Sequence, residues 1–239
     1  MITLYGMGSP NVAKVFIALE ELGLPWELKL VDVFDGKQFE PEFLRLNPNA
    51  KVPVLIDPDG PGAKPITIFE SGAILIYLAE KTGKLLPKDG AARYEAMQWL
   101  MVQLTGQGPM SGQLVHFIRF APAGNDYARA RYQTQVRNVY RALDQRLSSS
   151  PWLTGGEYGI CDIAFYPWSR TAETLGFLGD EKAKLVNLAR WMGAMAARPA
   201  VGRANAKQDE TRAKVTAFDK ANPDTLDRFL QRGRWHVGA

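Results

Sequence analysis

Ser9 and Asn11 are hydrogen-bond donors on either side of Pro10, where a short apolar segment gives way to a helical pattern. Proline suits the first turn of a helix, and the free amide groups of that turn favour an anion. Amides and side-chain donors in this arrangement stabilise a thiolate relative to a thiol. The structural alternative makes Ser9 the cap of the helix and Asn11 a turn residue.

The segment keeps the spacing of a Cys-Pro-x-Cys redox turn but contains no sulfur. The chain has one cysteine, Cys161, so it can form neither an intramolecular disulfide nor a cysteine-based metal cluster. Its two histidines, His116 and His236, show no ligand spacing, and we expect no metal. The apolar setting of Cys161 favours a buried small residue over a redox group. A thiol reaction at this turn would therefore need a sulfur supplied by a ligand.

Lys51-Val52-Pro53 is a second segment that could contact a ligand. The peptide bond before a proline is the only one at which the cis form is cheap, costing about 0.5–1 kcal/mol. A cis bond would turn the backbone N–H and C=O of Val52 outward, where a bound peptide could pair with them as an added strand. A trans proline that ends a loop is the alternative, and the sequence favours neither.

Glu70 and Ser71 stand at the junction between an apolar strand pattern and a helical pattern. Ser71 is a good N-cap candidate, and the free N–H groups after it could bind a carboxylate. Glu70 could accept a ligand ammonium beside that site. A plain N-cap with an exposed glutamate explains the same residues equally well.

The charge balance argues against a nucleic-acid partner. The 239 residues include 29 Lys and Arg against 25 Asp and Glu, a net charge of +4, without any run of five like charges. Such a surface can still favour a small anionic ligand. No apolar stretch approaches the ~20 residues of a membrane span, and the first residues resemble a strand more than a signal sequence. We therefore expect a cytoplasmic protein without membrane or nucleic-acid partners.

The residues up to about Leu86 alternate between strand and helix patterns. Period-two or continuously apolar segments predict four strands, at 2–5, 26–33, 52–56 and 65–69. Apolar stripes at helical spacing predict three helices, at 11–22, 41–46 and 71–81. The element order, with a right-handed crossover between the first two strands, is the α/β arrangement of thioredoxin. We predict a thioredoxin-like domain over residues 1–86.

From Ala91 onward the sequence shows helical patterns and no strand. The predicted helices cover 91–120, with a loosened turn near 106–109, and then 127–147, 162–175 and 181–197. After a linker near residues 85–90, we predict an all-α domain over residues 91–239. Its polar extension, from about residue 207, carries one amphipathic turn at Leu226, Phe229 and Leu230.

Several motifs together resemble one enzyme superfamily. In the first domain, three segments look like the glutathione site of cytosolic glutathione transferases: Tyr5…Ser9-Pro-Asn11, Asn49-Ala-Lys-Val-Pro53 and Glu70-Ser-Gly-Ala-Ile74. In the second, four are similar to the bacterial nu-class branch, the disulfide-bond oxidoreductases of that fold: Gly108-Pro-Met-Ser-Gly-Gln113, Ala130-Arg-Tyr132, Ser150-Pro-Trp-Leu153 and Ile160-Cys-Asp-Ile-Ala164. The resemblance covers about residues 1–205.

The resemblance implies that glutathione, γ-Glu-Cys-Gly, is the ligand that supplies the thiol. Glu70 and Ser71 would hold its γ-glutamyl ammonium and carboxylate. The backbone of Val52, next to cis-Pro53, would pair with the cysteinyl residue. The remaining implied contacts are Gln38 and Lys51 at the glycyl end, and Arg131 at a site shared with a second subunit.

Ser9 and Asn11 would then face the sulfur as the catalytic residues, with Asn11 dominant. Nu-class enzymes usually carry Thr-Pro-Asn, so Ser9 keeps the hydroxyl and loses a methyl contact. The serine-type transferases match less well, because their serine usually precedes the proline by two residues. A second departure is Gly159, where the family usually has a Ser or Thr cap; glycine is a tolerated cap, and Asp162 is expected to be structural.

The resemblance further implies a second-substrate pocket between the domains. Its candidate walls are Met7, Met110, Gln113, His116, Phe117 and Tyr166. Aromatic and Met side chains at helical spacing more often form plain core. We predict a homodimeric glutathione-dependent disulfide reductase with transferase or peroxidase side activity, acting on a small-molecule disulfide or electrophile. One or two glutathiones, or the disulfide, would occupy each site. The alternative is a non-catalytic glutathione-binding regulatory protein on the same fold.

Overall fold

The computed structural model describes residues 1–236. The chain forms two compact units. One contains residues 1–74 together with the chain from residue 203 onward, and the other contains residues 75–202. The first unit carries the β-sheet, and the second is helical.

The division between the units falls inside two helices, so it does not coincide with the boundaries expected from the sequence. The C-terminal segment groups with the first unit, not with the helical unit. The domain ranges 1–86 and 91–239 stay a prediction, and residues 237–239 of the second range lie outside the described residues.

Four strands form one mixed sheet in the order β2-β1-β3-β4. They are β1 Ile2–Gly6, β2 Trp26–Leu30, β3 Val54–Asp57 and β4 Ile66–Phe69. β1 and β2 are parallel, whereas β3 is antiparallel to both β1 and β4. The β2 strand ends before the expected residue 33, because its partner β1 ends where Gly6 pairs with Leu30. The thioredoxin-like fold predicted from the sequence is confirmed.

Three helices accompany the sheet: α1 Pro10–Leu22, α2 Pro41–Leu46 and α3 Ser71–Thr82. Every side chain of α1 from Val12 to Leu19 is buried, so this helix lies inside the unit. A Cβ on Gly6 would lie 2.6 Å from a Val12 methyl carbon, which explains why the strand can approach the helix only through glycine. Gly23, at φ 64°, ends α1 in the left-handed conformation.

The rest of the chain is helical, as predicted. Its helices are α4 Gly90–Val102, α5 Gly108–Arg119, α6 Asp126–Ser149, α7 Ile160–Thr174, α8 Val186–Ala196, α9 Pro199–Ala213 and α10 Pro223–Leu230. The loosened turn predicted before Pro109 is a π-helical turn, Gln103–Gln107. α8 begins later than expected because residues 179–184 form a 3₁₀ helix. No helix among residues 1–236 combines the length and the apolar character needed to cross a bilayer.

A buried carboxylate, Asp162, ties the start of α7 to its surroundings. It accepts hydrogen bonds from the backbone N–H of Leu153 (2.7 Å) and Gly159 (3.0 Å), from the Thr154 hydroxyl (3.0 Å) and from the Trp191 indole (2.8 Å). Burial raises the pKa of Asp162, and these donors oppose that rise. The side chain is structural, since both of its carboxylate oxygens accept hydrogen bonds from groups of the protein itself.

Gly159 is required here rather than merely tolerated. A Cβ at this position would lie 2.4 Å from the Leu85 carbonyl oxygen and 2.7 Å from the Thr154 hydroxyl. The Thr154 Oγ1 accepts a hydrogen bond from the Cys161 N–H (3.2 Å), which is the bond that a capping Ser or Thr would make. Thr154 therefore supplies the cap of α7 through space.

We predict that Thr154→Val lowers the free energy of unfolding by about 2 kcal/mol, because an isosteric methyl removes both the cap and a donor to Asp162. Urea unfolding measures the change. Thr134→Val is the matched control, since the exposed Thr134 hydroxyl bonds only the Ala130 carbonyl of its own helix among residues 1–236. Equal stabilities for the two variants would contradict the capping role.

The C-terminal segment packs against the loops that follow β1 and β2. The Arg212 Nε donates to the Gly8 carbonyl at 2.7 Å, and the Thr216 N–H donates to Asp32 at 2.6 Å. The Phe34 ring meets Phe218 and Phe229 edge-on, with centroids 5.7 and 5.6 Å apart. The amphipathic turn expected near Phe229 is α10, whereas the preceding α9 was not predicted from its polar sequence.

Asp32 joins the β2 loop to this segment, because its carboxylate also accepts from the N–H of Phe34 at 3.1 Å and of Asp35 at 3.3 Å. We predict that Asp32→Ala costs roughly 1–3 kcal/mol of stability and exposes the chain after residue 213 to limited proteolysis. Asp35→Ala is the control, because within the described part of the chain its exposed carboxylate pairs only with the exposed Lys37, at 3.4 Å, and such pairs contribute little. The same proteolysis rate in both variants would contradict the anchoring role.

Candidate functional site

The strand register brings the three predicted ligand segments to one edge of the sheet. Tyr5 of β1 pairs with Val54 of β3, and Val54 pairs with Phe69 of β4. β4 finishes at this row and β1 finishes one residue beyond it, at Gly6, whereas β3 begins at the row. The turn after β1, the bend before β3 and the junction after β4 therefore leave the sheet at the same edge. This places residues 9–11, 51–53 and 70–73 around one area of the first unit.

The first segment is both a helix cap and a source of donors. Ser9 Oγ accepts a hydrogen bond from the Val12 N–H at 3.4 Å, and Pro10 occupies the first position of α1. Because the hydroxyl oxygen acts as acceptor, its hydrogen can still be donated outward. Asn11 is half-buried on the first turn of the same helix. The structural and the functional interpretations of this turn are thus compatible.

The second segment contains a cis peptide bond between Val52 and Pro53, the form needed for the predicted backbone contact. The β-ladder starts at Val54, so Val52 precedes the paired residues. Asn47, which the sequence analysis did not single out, holds the bend: its Nδ2 donates to the Lys51 carbonyl at 2.7 Å, and its Oδ1 accepts from the Asn49 N–H at 3.0 Å. Its signal was the turn-forming run Asn47-Pro-Asn.

The third segment opens α3. Glu70 is exposed and has φ 71°, a left-handed conformation that costs a non-glycine residue about 1–3 kcal/mol and that clusters at active sites and ligand clamps. Its carbonyl accepts the Ile74 N–H at 3.0 Å, so Glu70 is the backbone cap of the helix. Ser71 is the first helical residue and not the N-cap expected from the sequence. The amides of this first turn face the helix entrance, where an anion is favoured.

Lys14 contacts the third segment and was not predicted from the sequence. It is 1% exposed, and its ammonium donates to the Ser71 hydroxyl oxygen at 3.2 Å. Burial lowers the pKa of Lys14 to about 7, against the opposing influence of the Glu70 carboxylate. The available signal was the position of one charged residue within the otherwise apolar run Val12–Leu19.

The structure gives less support to the other predicted glutathione contacts, which are Gln38, Lys51 and Arg131. Gln38 is 1% exposed, and its Nε2 donates to the Val33 carbonyl at 3.2 Å. Its Oε1 has no hydrogen-bond partner among residues 1–236. Lys51 is exposed beside the cis bond, and Arg131 is exposed on α6 of the second unit. Their roles stay predictions.

The predicted substrate-pocket walls belong to different environments. Met7 is part of the buried apolar cluster of the first unit. On α5, Met110 is half-buried and Gln113 exposed, and the Phe117 ring lies against His116 (5.2 Å) and stacks on Tyr132. The buried Tyr166 lines a cavity of about 390 Å³ beside α8, which the other five do not line. A common pocket for these side chains stays a prediction.

Cys161 is fully buried, and its Sγ donates to the Ala96 carbonyl at 3.0 Å. Burial raises the pKa of this thiol to about 12, so it carries almost no reactive thiolate at neutral pH. The only cysteine of the chain is therefore inert.

Comparison with known proteins identifies the family. The model of the glutathione S-transferase N-terminal domain matches residues 8–81, and that of the C-terminal domain matches residues 126–194. Escherichia coli disulfide-bond oxidoreductase YfcG is 42% identical over 85% of this chain and 94% of its own length.

Two solved structures are similar over the same share of the chain. A glutathione transferase from Burkholderia graminis, with two glutathione molecules bound per subunit, is 47% identical (TM-score 0.80; 85% of this chain and 87% of that one). One from Pseudomonas putida, with one glutathione disulfide per subunit, is 39% identical (TM-score 0.79; 85% and 90%). On the evidence of sequence and fold together, this chain belongs to the glutathione S-transferase family.

Proposed function

We propose that this transferase-like enzyme is a glutathione-dependent disulfide-bond reductase of the nu-class type. The observation that carries the proposal is the convergence of Ser9 and Asn11, the cis Val52–Pro53 bond and the start of α3 at one sheet edge. These elements supply a thiolate environment, a backbone pairing site and an anion site. Because Cys161 is buried and inert, the reacting sulfur comes with the ligand.

The relatives support the redox assignment over plain conjugation. YfcG and the 38% identical Escherichia coli YghU are both named disulfide-bond oxidoreductases. The structure neighbours hold two glutathiones or one glutathione disulfide in a subunit, which are the reduced and oxidised states of the proposed reaction. On this proposal, the present chain likewise binds two glutathiones or their disulfide.

The chemistry consists of two thiol–disulfide exchanges. The thiolate of one glutathione attacks a sulfur of the substrate disulfide, which forms a mixed disulfide and releases the first substrate thiolate to take up a proton. A second glutathione thiolate attacks the glutathionyl sulfur of that mixed disulfide and releases the second substrate thiol. Two glutathiones are oxidised to glutathione disulfide while one substrate disulfide is reduced to two thiols.

The residues of the chain position and stabilise the attacking sulfur. Donation from the Ser9 hydroxyl and the Asn11 amide, together with the N-terminal end of α1, favours the thiolate. Glu70 and Ser71 hold the γ-glutamyl end, Val52 pairs with the cysteinyl backbone, and Lys51 serves the glycyl end. Gln38 would have to turn outward to join it, because its side chain is buried.

The proposed location, assembly and side activities of the protein follow from its resemblance to the nu-class branch. We propose a cytoplasmic homodimer in which Arg131, which matches a ligand-contacting arginine of the branch that the sequence resembles, acts at a site shared with the second subunit. Transferase and peroxidase side activities use the same thiolate on an electrophilic carbon or a peroxide. A regulatory protein that binds glutathione without turnover is the alternative, and the paired donors Ser9 and Asn11 favour the enzyme.

Reduction of hydroxyethyl disulfide by glutathione, compared with conjugation of a chlorinated nitrobenzene, tests the function. We expect turnover of the disulfide to exceed conjugation. Glutathione binding without turnover in either assay would establish the regulatory alternative.

We predict that Asn11→Ala lowers kcat/KM for disulfide reduction by roughly 10–100-fold, because one donor to the developing thiolate is lost. Cys161→Ala is the control and should retain activity within about twofold, since this thiol is buried away from the chemistry. Equal losses in the two variants would contradict a mechanism in which glutathione supplies the sulfur.

Ser9→Ala should cost less activity than Asn11→Ala, although it also removes the cap of α1 and so about 1 kcal/mol of stability. Ser9→Thr, which has the residue usual in the branch, should restore both the hydroxyl and the cap. Steady-state kinetics at a temperature where all variants are folded separates the two effects. A larger activity loss for Ser9→Ala than for Asn11→Ala would reverse the assignment of the dominant donor.

A further inference from the structure

Lys14 is a buried cation that the proposed reaction does not use. Its side chain is 1% exposed, and the other residues from Val12 to Leu19 of the same helix are apolar and buried. An ammonium in such a place is costly unless an anion compensates it. The charge that acts on it from the facing β4–α3 junction is the exposed Glu70 carboxylate.

One hydrogen-bond partner of Lys14 is Ser71, the residue that the proposed function places on the γ-glutamyl carboxylate. Lys14 Nζ donates to the Ser71 hydroxyl oxygen at 3.2 Å, at the first residue of α3. When the lysine is an ammonium, the Ser71 oxygen is an acceptor, and its hydrogen is directed elsewhere, towards any acceptor at the helix entrance. When the lysine is a neutral amine, Nζ can accept a hydrogen bond, and the Ser71 hydroxyl can donate to Lys14 instead of to the ligand.

We propose that Lys14 is a positioning residue for the γ-glutamyl subsite: its ammonium orients the Ser71 hydroxyl towards the ligand carboxylate and supplies buried positive charge behind it. This inference rests on the proposed function, since it takes glutathione as the ligand. Lys14 does not touch the ligand; it acts through Ser71 and through the field at the start of α3.

Binding of glutathione is then coupled to a proton. The folded free protein holds the Lys14 pKa at about 7, so the side chain is partly neutral near physiological pH. A carboxylate bound at Ser71 favours the ammonium and raises that pKa, so binding takes up a proton from solvent. The affinity should therefore weaken as the pH rises through the range in which the free protein loses this proton.

S-methylglutathione is the probe, because it lacks the thiol that would otherwise titrate. We expect its Kd on the full-length wild-type protein to rise about tenfold between pH 6.5 and 8.5. Calorimetry in two buffers of different ionisation enthalpy should show uptake of on the order of half a proton at pH 7.5.

Lys14→Met should bind the probe about tenfold more weakly at pH 6.5, without that proton uptake. Lys64→Met is the matched control, because it removes an equal charge from an exposed side chain of the same unit and should behave as wild type. An analogue with the γ-glutamyl carboxylate converted to an amide should bind wild type and Lys14→Met with equal affinity.

Thermal unfolding separates positioning from a structural role. A lysine whose pKa is lowered on folding destabilises the folded state most below pH 7, and this penalty shrinks as the pH rises from about 7 towards the unfolded value of 10.5. Lys14→Met should therefore melt higher than wild type at pH 6, by about 5 °C, and the difference should narrow towards pH 10. A variant that is more stable yet binds worse identifies a functional lysine.

Wild-type affinity and proton uptake in Lys14→Met would overturn the inference while leaving the proposed function intact. Lower stability in Lys14→Met with an unchanged pH profile of binding would show a structural lysine and would also overturn it. Failure of the wild-type protein to bind S-methylglutathione at any pH would overturn the proposed function, and this inference with it.

Discussion

The site depends on one row of the β-sheet, in which Tyr5, Val54 and Phe69 lie side by side on adjacent strands. Because β4 ends at this row, β1 ends one residue beyond it and β3 begins there, strand pairing brings together three loops that are far apart in sequence. A register slip by one residue would turn the strand faces over and move the loops apart. The proposed chemistry therefore rests on strand pairing before it rests on any side chain.

Patterns within short segments of the sequence were sufficient to identify the strands, the first three helices and the X-Pro bond. Strand and helix periods predicted the four strands and α1 to α3, apart from the end of β2. The X-Pro motif at Val52 and Pro53 indicated a bond that could be cis and is cis. The contacts between distant segments were beyond such patterns. Lys14 is an ordinary charged residue in sequence, and only the approach of α3 to α1 gives it the Ser71 partner. The polar composition of α9 likewise hid its contact with Gly8.

Gly159 shows how a departure from a family pattern can be compensated through space. The sequence suggested a tolerable loss of a cap, since glycine lacks the side chain that usually makes the bond. In the structure Thr154 makes that bond from a neighbouring loop, and the space for a Cβ at residue 159 is filled. A Ser or Thr at 159 and the present Thr154 exclude each other sterically, so the two positions have to be considered as one unit.

The proposed reaction differs from ordinary thiol-redox chemistry in where the reacting sulfur resides. The chain has the turn after β1, the start of α1 and the donors Ser9 and Asn11, whereas its single thiol, Cys161, is buried in the second unit. The most direct test is a crystal structure with glutathione bound. We predict that the ligand sulfur lies within about 3.5 Å of the Asn11 amide or the Ser9 hydroxyl, the usual reach of such contacts. A sulfur bound elsewhere, or pointing away from both donors, would contradict the account.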